Sequence, residues 1–452
     1  MASKGGLFGT NGIRGEINRK LTPEFIMNAS LAIGSFIGEN RTVIVGRDTR
    51  TSGNMVMDIL KGSLISTGNH VYDAGIVPTP ALQLTVKDHA DFGVMVTASH
   101  NPAIYNGIKC IDSDGTELND EGENEIERIF NAREFKLKEW NNLGRHDIIT
   151  GVNHNYVYNV MNKINKEKID KNLKILIDCA NGAGSLTTPV FLDALGMKYT
   201  TLNCNADGNF PSHDPEPKEE NLKELMRITK DAYDFGAAHD GDADRIVFVD
   251  NDGNFISGDR ILGLFVKYIT EKRKGIIVVP VTVSRMVEEI TQKNDSKLLY
   301  TRVGAPIVAR TMMKTGAIFG GEDNGGFIFP EMQHARDGLM GLAKMIEIIS
   351  ERKMKFSELL NELPEYYQKK GSLEIPPGKF NEIMKIIENN AGGNVVKIDG
   401  IKVFEGDSWV LIRPSGTEPL VRIYAESKNR NDLENIFGRY MNIIKNIIRE
   451  FQ

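Results

Sequence analysis

Carboxylates stand at positions 240, 242 and 244 of this chain, in AAHDGDADRIVFVD, with apolar runs on both sides. At period two in an extended segment, such groups project from one side a few ångströms apart. Three uncompensated charges that close repel one another, and a divalent cation is the usual remedy. An all-oxygen donor set suits Mg²⁺, above all where a phosphate oxygen completes the shell. An EF-hand loop does not fit, because its sixth position would be Arg245 rather than Gly and its twelfth Asn251 rather than Glu. Arg245, beside Asp244, could neutralise a phosphate without displacing the metal. The alternative is a solvated acidic turn, which the flanking apolar runs disfavour.

Four other segments carry chemistry. VTASHNPAIYNGIKC offers Thr97, Ser99 and His100 at a strand end before an Asn-Pro turn, then Lys109. Beside a metal and a base, Ser99 could act as nucleophile or phosphate carrier, and a partly desolvated Lys109 as acid or base. Read alone, Ser99 is a turn-capping hydroxyl, His100 a structural histidine and Lys109 a solvated lysine. GGEDNGGFIFP has the glycine density of a loop that approaches a ligand closely. Glu322 and Asn324 within it suit vicinal sugar hydroxyls. RPSGTEPLVRIYAE presents Arg413, Ser415, Gly416, Thr417 and Arg422, a set of forks, hydroxyls and turn amides that suits a phosphate dianion. A tight hairpin capped by Ser and Thr is the plainer reading there. Arg14, in FGTNGIRGEIN, is a further candidate phosphate contact.

The elements that must position these residues alternate between short β-branched runs and amphipathic helices. TVIVGRD (42–48), FGVMVTASH (92–100), KILIDCANG (174–182) and IIVVPVT (276–282) read as buried strands. Segments 221–230 and 339–350 have helical spacing. The expected class is α/β, with sites at strand-to-loop junctions. A chain of 452 residues exceeds one core. Polar stretches near 131–155 and 164–174 and the turn at 249–255 are candidate boundaries. The proline-bearing stretch 362–380 reads as a link into a smaller strand–turn–strand–helix unit.

A net charge of −6 argues against nucleic-acid and membrane-surface partners, while leaving room for an anionic ligand at a local basic cluster. No run of about 18 apolar residues is present, and MASKGGLFGT lacks the apolar stretch of a secretory signal. Cys110, Cys179 and Cys204 form no CxxC pair and are expected to be reduced thiols of a cytoplasmic protein.

Taken together and in this order, LFGTNGIRG, TASHNP, DGDADR, GGEDNGG and RPSGTEP resemble the α-D-phosphohexomutase superfamily, in its archaeal-type form, over essentially the whole chain. The resemblance implies three related α/β domains around a central cleft plus a smaller α+β C-terminal domain. The expected boundaries are 1–150 with the serine loop, 151–252 with the metal loop, 253–366 with the sugar loop and 367–452 with the phosphate loop. It implies that Ser99 is a phosphoserine, and that Asp240, Asp242 and Asp244 bind Mg²⁺ with its phosphoryl oxygen. Arg14, His100, Lys109 and Arg245 would surround the transferring phosphate, with Lys109 as acid/base. Glu322 and Asn324 would read sugar hydroxyls, and Arg413, Ser415, Gly416, Thr417 and Arg422 would hold the other phosphate. The activity implied is interconversion of hexose 6- and 1-phosphates through a hexose 1,6-bisphosphate, which also serves as activator. Glucosamine phosphate is placed first among the sugars, ahead of mannose and glucose phosphates, and a homodimer is compatible. Two departures separate this chain from many bacterial members: Gly-Glu-x-Ser-Gly-His is replaced by residues 321–326, Gly-Glu-Asp-Asn-Gly-Gly, and Ala305 stands where a polar residue is common. The rival readings are a haloacid-dehalogenase-like phosphatase with Asp240 as nucleophile, which expects Thr or Val where Asp244 stands, and a non-catalytic sugar-phosphate sensor.

Overall fold

The computed structural model describes residues 6–9, 12–376, 378–390, 394–414 and 420–451. Its strands form four sheets, three mixed and one antiparallel. The first has six strands in the order Ile13–Glu16, Tyr105–Asp112, Phe92–Val96, Thr42–Arg47, His70–Ile76, His146–Ile148. The second runs Phe255–Ile256, Ile246–Val249, Phe235–His239, Lys174–Asp178, Lys198–Leu202, and the third Lys297–Thr301, Ile276–Pro280, Phe319–Gly321, Phe327–Ile328.

One feature recurs in all three. A buried strand with a parallel neighbour on one side turns back at once into an antiparallel neighbour on the other. Phe92–Val96 returns as Tyr105–Asp112, Phe235–His239 as Ile246–Val249, and Phe319–Gly321 as Phe327–Ile328. The residues of Phe92–Val96 and Phe235–His239 are all buried, which explains their unbroken apolar reading in the sequence. The three return loops are the serine, metal and sugar loops, so each α/β domain delivers its loop from the same topological point.

Helices cover the sheets. Thr22 caps Pro23–Ile37 through its Oγ1, which accepts from the Phe25 amide at 3.2 Å, with Pro23 at the first helical position. Ile44, Met95 and Ile111 of the first sheet share one contiguous buried cluster with Val157, Phe248 and Leu262, so a single apolar core joins the three α/β domains. The fourth sheet is wholly antiparallel, in the order Tyr367–Glu374, Leu420–Ser427, Ser408–Pro414, Ile401–Glu405, Asn394–Val396. Together with the helix Arg430–Arg449 it builds its own core of Ile401, Val410, Ile423, Phe437 and Ile444. It docks on the third domain through buried Lys402, which lies 3.8 Å from the Trp409 ring and donates to the Val281 carbonyl at 2.8 Å. Glu426 accepts from the Trp409 indole and from the Arg285 amide.

Four expectations are corrected. The stretch at 362–380 is more than a link: Tyr367–Glu374 is an edge strand whose residues alternate half-buried and exposed. The polar stretch at 131–155 includes the edge strand His146–Ile148, all exposed, whose polarity hid its pairing with Val71–Asp73. The strand readings ran past the true ends, because TASH and CANG lie in loops. Cys179 and Cys204 are paired as a disulfide, with Cα atoms 4.9 Å apart, while Cys110 is free and buried. Each paired cysteine follows one of two parallel strands whose register sets Asp178 opposite Leu202, a neighbourhood that a separation of 25 residues does not reveal. Among the described residues, no helix is long and apolar enough to cross a membrane.

Candidate active site

The metal loop differs from the extended segment read in the sequence. Residues 240–245 form a turn, with Ala243 in the left-handed region at φ 55°. The turn, rather than a pleat, brings the carboxylates of Asp240, Asp242 and Asp244 within 4.8 Å of one another, all three buried. It needs glycine at 241, since a Cβ there would lie 2.6 Å from the Ser99 carbonyl oxygen. The metal loop is thereby pressed against the serine loop. His239, at the end of its strand, lies 3.1 Å from the Arg245 carbonyl through Nδ1 and 2.9 Å from Thr188 Oγ1 through Nε2. Burial pulls its pKa down to about 4, so the ring is neutral and ties the two ends of the turn.

Ser99 sits at φ 53°, a conformation costing a non-glycine residue on the order of 1–3 kcal/mol. Its Oγ donates to Asp240 Oδ2 at 2.8 Å and lies 3.5 Å from His100 Nδ1. Burial, and next the charges of Arg245 and Arg14, lower the His100 pKa to about 2, leaving a neutral imidazole. Lys109, on the returning strand, is buried and donates to Asp242 Oδ2 at 2.8 Å and Asp244 Oδ2 at 3.1 Å. Burial disfavours its ammonium, but Asp242 and Asp244 outweigh that and raise its pKa. Burial likewise works to raise Asp242, yet Lys109, with help from Thr79 and Arg336, pulls its carboxyl far below the usual range. For Asp240, burial, then Asp242 and Asp244, outweigh the Arg245 charge and the Ser99 hydrogen bond and push it well up. The Arg245 amide donates to Asp240 Oδ1 at 3.2 Å, and its guanidinium lies 4.0 Å from Asp240 and 3.9 Å from Asp244. Arg14 donates to Asn101 Oδ1 of the serine loop at 2.9 Å.

In the sugar loop, buried Glu322 lies 3.5 Å from the Arg336 guanidinium, and burial raises its pKa against Arg336 and Arg245. Asn324 Oδ1 accepts from the Gly326 amide at 3.1 Å. The Gly325 carbonyl accepts from the Ile246 amide at 3.0 Å, which links the sugar loop to the metal loop's returning strand. Arg413 and Arg422 stand apart from this cluster, directly opposite each other on neighbouring antiparallel strands. Like charges so placed repel and favour an anion between them. Arg413 pairs with Asp399 at 2.9 Å, and its Nε is a buried donor with no protein acceptor. Arg422 lines a cavity of about 370 Å³ together with Lys370, Ser372 and Tyr424. Ser415, Gly416 and Thr417 lie outside the described residues.

The sequence reading missed several participants. Arg336 is buried and donates to Asp244 Oδ2 at 2.6 Å, with Glu117 and Glu322 each 3.5 Å away. Thr79 donates to Asp242 Oδ2 at 2.6 Å. Asp48 was missed as well: its Oδ2 accepts at 2.6 Å from Thr97, a residue of the serine-loop motif whose hydroxyl accepts from the Ser99 amide at 2.8 Å. A signal was available for two of these. Arg336 and Asp337 precede a strongly apolar helix, and Asp48 ends a buried strand, in both cases charge where burial begins.

The donor set fits a hard cation. Asp242 Oδ1 and Asp244 Oδ1 are buried without a hydrogen-bond donor, and all three carboxylates offer oxygen alone. Around them, the carboxylates of Asp240, Asp242, Asp244, Glu322 and Glu117 face the cations Lys109, Arg336, Arg245 and Arg14. A divalent cation and a phosphoryl dianion entering together would leave that balance unchanged.

Comparison with known proteins decides the family. Models of phosphoglucomutase/phosphomannomutase match in chain order: alpha/beta/alpha domain I over residues 5–137, domain II over 154–253, domain III over 257–367 and the C-terminal domain over 358–442. The chain belongs to the α-D-phosphohexomutase superfamily. It is 42% identical over 455 residues to a phosphoglucosamine/phosphogalactosamine mutase of Sulfurisphaera tokodaii, covering 98% of this chain and 99% of the relative. It is also 42% identical to a phosphoglucomutase/phosphomannomutase of Thermococcus kodakarensis, covering 94% and 95%. The crystal structure of a Burkholderia thailandensis protein of the phosphoglucomutase/phosphomannomutase family superposes with a TM-score of 0.88 at 28% identity, over 97% of each chain. The protein is thus a phosphohexomutase, an intramolecular phosphotransferase, which sets aside the phosphatase and sensor readings.

Proposed function

We propose that this phosphohexomutase carries its phosphoryl group on Ser99 and acts first on glucosamine phosphate. The observation that carries the carrier assignment is the Ser99 hydroxyl donating at 2.8 Å to Asp240, one of three converged carboxylates. Phosphoserine transfers its phosphoryl to the free hydroxyl of a hexose phosphate: the Ser99 O–P bond breaks as the sugar O–P bond forms. The resulting hexose 1,6-bisphosphate reorients and returns its original phosphate to Ser99. Lys109, held charged by its two aspartates, gives a proton to Ser99 Oγ as the phosphoryl leaves and takes up the one the attacking sugar hydroxyl sheds. In the return step it takes the Ser99 proton and gives one to the departing sugar oxygen. Asp240, Asp242 and Asp244, with the Ser99 phosphoryl oxygen, would hold Mg²⁺. When bound, that ion neutralises charge on the transferring group. Arg14, Arg245 and neutral His100 orient that group, as phosphoryl transfer by positioning and electrostatics requires.

Glu322 and Asn324 read the sugar. With Asp323, the loop carries two carboxylates, suited to an amino sugar's ammonium, and the S. tokodaii relative, named as a phosphoglucosamine/phosphogalactosamine mutase, points the same way. Arg413 and Arg422, with Ser415, Gly416 and Thr417, hold whichever phosphate is distal. We place the domain boundaries near residues 150, 252 and 366.

Two measurements test this. Intact mass and peptide mapping after incubation with glucose 1,6-bisphosphate should place one phosphoryl group on Ser99; its absence there rejects the carrier. Parallel assays on glucosamine 6-phosphate, mannose 1-phosphate and glucose 1-phosphate should give the highest kcat/KM for glucosamine. A preference for either neutral sugar rejects the amino-sugar assignment alone. For the distal site, Arg413→Ala should raise KM roughly 10- to 150-fold, since a hydrogen bond to a charged group is worth about 1.5–3 kcal/mol. An unchanged KM would move the phosphate elsewhere.

A further inference from the structure

The serine loop turns around a residue that is neither in the metal cluster nor in the sugar and phosphate loops. Arg50 follows the strand Thr42–Arg47 and is 1% exposed. Its Nε donates to Asp48 Oδ2 at 3.0 Å. One terminal nitrogen donates to the carbonyls of Pro102 at 2.7 Å and Tyr105 at 2.9 Å, and the other to those of Ser99 at 2.8 Å and Asn101 at 2.6 Å. All five donors of one guanidinium are therefore used, three of them on the loop that bears Ser99 and one at the start of the strand that follows it. Its counter-ion Asp48 also receives the Thr97 hydroxyl, which in turn receives the Ser99 amide. Ser99 is thus gripped at both its carbonyl and its amide by a single connected network.

This grip has a task in view. Ser99 occupies the left-handed region, and such a conformation persists in a non-glycine residue only where the surroundings over-determine it. Phe210 of the second domain covers the guanidinium, with its ring centroid 5.0 Å away, and residue 208 forms a bridge with Arg50. Asp240 comes from that same second domain, so the fork that fixes the loop is seated against the domain that supplies the hydroxyl's partner.

We propose that Arg50 is a positioning residue for phosphoryl transfer: its fork, with Asp48 and Thr97, holds the Ser99 backbone where Oγ meets Asp240. The proposal rests on Ser99 being the phosphate carrier. A lysine keeps the charge but cannot span four carbonyls in one plane. The variant Arg50→Lys should lower kcat at least 30-fold and slow Ser99 phosphorylation by glucose 1,6-bisphosphate by a similar factor. KM should stay within threefold, because Glu322 and the Arg413–Arg422 pair are untouched. Hydrogen exchange should quicken at the Ser99 amide. A folded Arg50→Lys enzyme with kcat within twofold of wild type overturns the proposal. So does a loss confined to thermal stability. If that variant does not fold, Thr97→Val decides: the same split, with kcat reduced at least fivefold at constant KM, supports the network, and unchanged kcat overturns it. Wild-type enzyme that takes no phosphate on Ser99 would instead sink the carrier assignment, a result read before any variant is made.

Discussion

Replacing Ser99 by alanine is expected to abolish acceptance of a phosphoryl group from glucose 1,6-bisphosphate and to lower mutase turnover by on the order of 10³-fold or more, as loss of a covalent carrier does. Binding should survive. On the assignment proposed above, the sugar and distal phosphate are held by Glu322, Asn324, Arg413 and Arg422, none of which contacts the hydroxyl in this structure. The equilibrium constant for a hexose phosphate, read by calorimetry, should therefore shift by a few-fold at most. Stability should change little. The variant forfeits one hydrogen bond to Asp240, worth about 1 kcal/mol, and alanine tolerates φ 53° about as poorly as serine. A variant that retains wild-type turnover would require another carrier among the cleft's nucleophiles.

The second large effect concerns Lys109. It is 2% exposed and is shared between Asp242 and Asp244. Removing one partner of a buried ion pair leaves an uncompensated charge, at a cost of about 3–5 kcal/mol. Lys109→Met, which preserves the stem's bulk, should accordingly lower the thermal midpoint. It should also cost turnover roughly 10²- to 10⁴-fold through loss of a proton donor. These two losses should separate on adding Mg²⁺. A divalent cation among the three carboxylates restores the missing neutralisation, so the midpoint should recover more in Lys109→Met than it rises in wild type. Turnover should not recover, because the ion supplies no proton to Ser99. If saturating Mg²⁺ restores both, Lys109 is a counter-ion only. If neither the midpoint nor turnover falls, the residue has no part in the site.

Much of this arrangement was legible in the chain. The carboxylates at 240, 242 and 244 and Ser99 sit just past buried strands with apolar runs, whereas Lys109 lies on Tyr105–Asp112, where Asn106, Lys109 and Asp112 break the apolar pattern and hid the strand. The motifs in order were enough to name the superfamily. The edge strands at 146–148 and 367–374 were not legible, because the first is wholly exposed, the second is at most half-buried at every other residue, and neither carries an apolar run. The triad's convergence was read from the wrong shape: alternation suggested a pleat, whereas a turn through Ala243 gathers the three oxygens.

Single-sequence reading fails most where partners come from distant segments. Arg336 reaches Asp244 across 92 residues, and Thr79 reaches Asp242 across 163. Cys179 pairs with Cys204 only because a parallel register places their strand ends side by side. Local pattern determined the residue types able to hold phosphate, metal and sugar, together with the strands that end beside them, since burial and turn chemistry act over a few neighbours. Tertiary structure alone decided which charges meet. Three α/β sheets each return a loop from the same topological point, and only their packing against one another brings Lys109 to Asp242 and Ser99 to Asp240. Coulombic and hydrogen-bond energies depend on separation in space, a quantity that the order of residues along the chain does not contain.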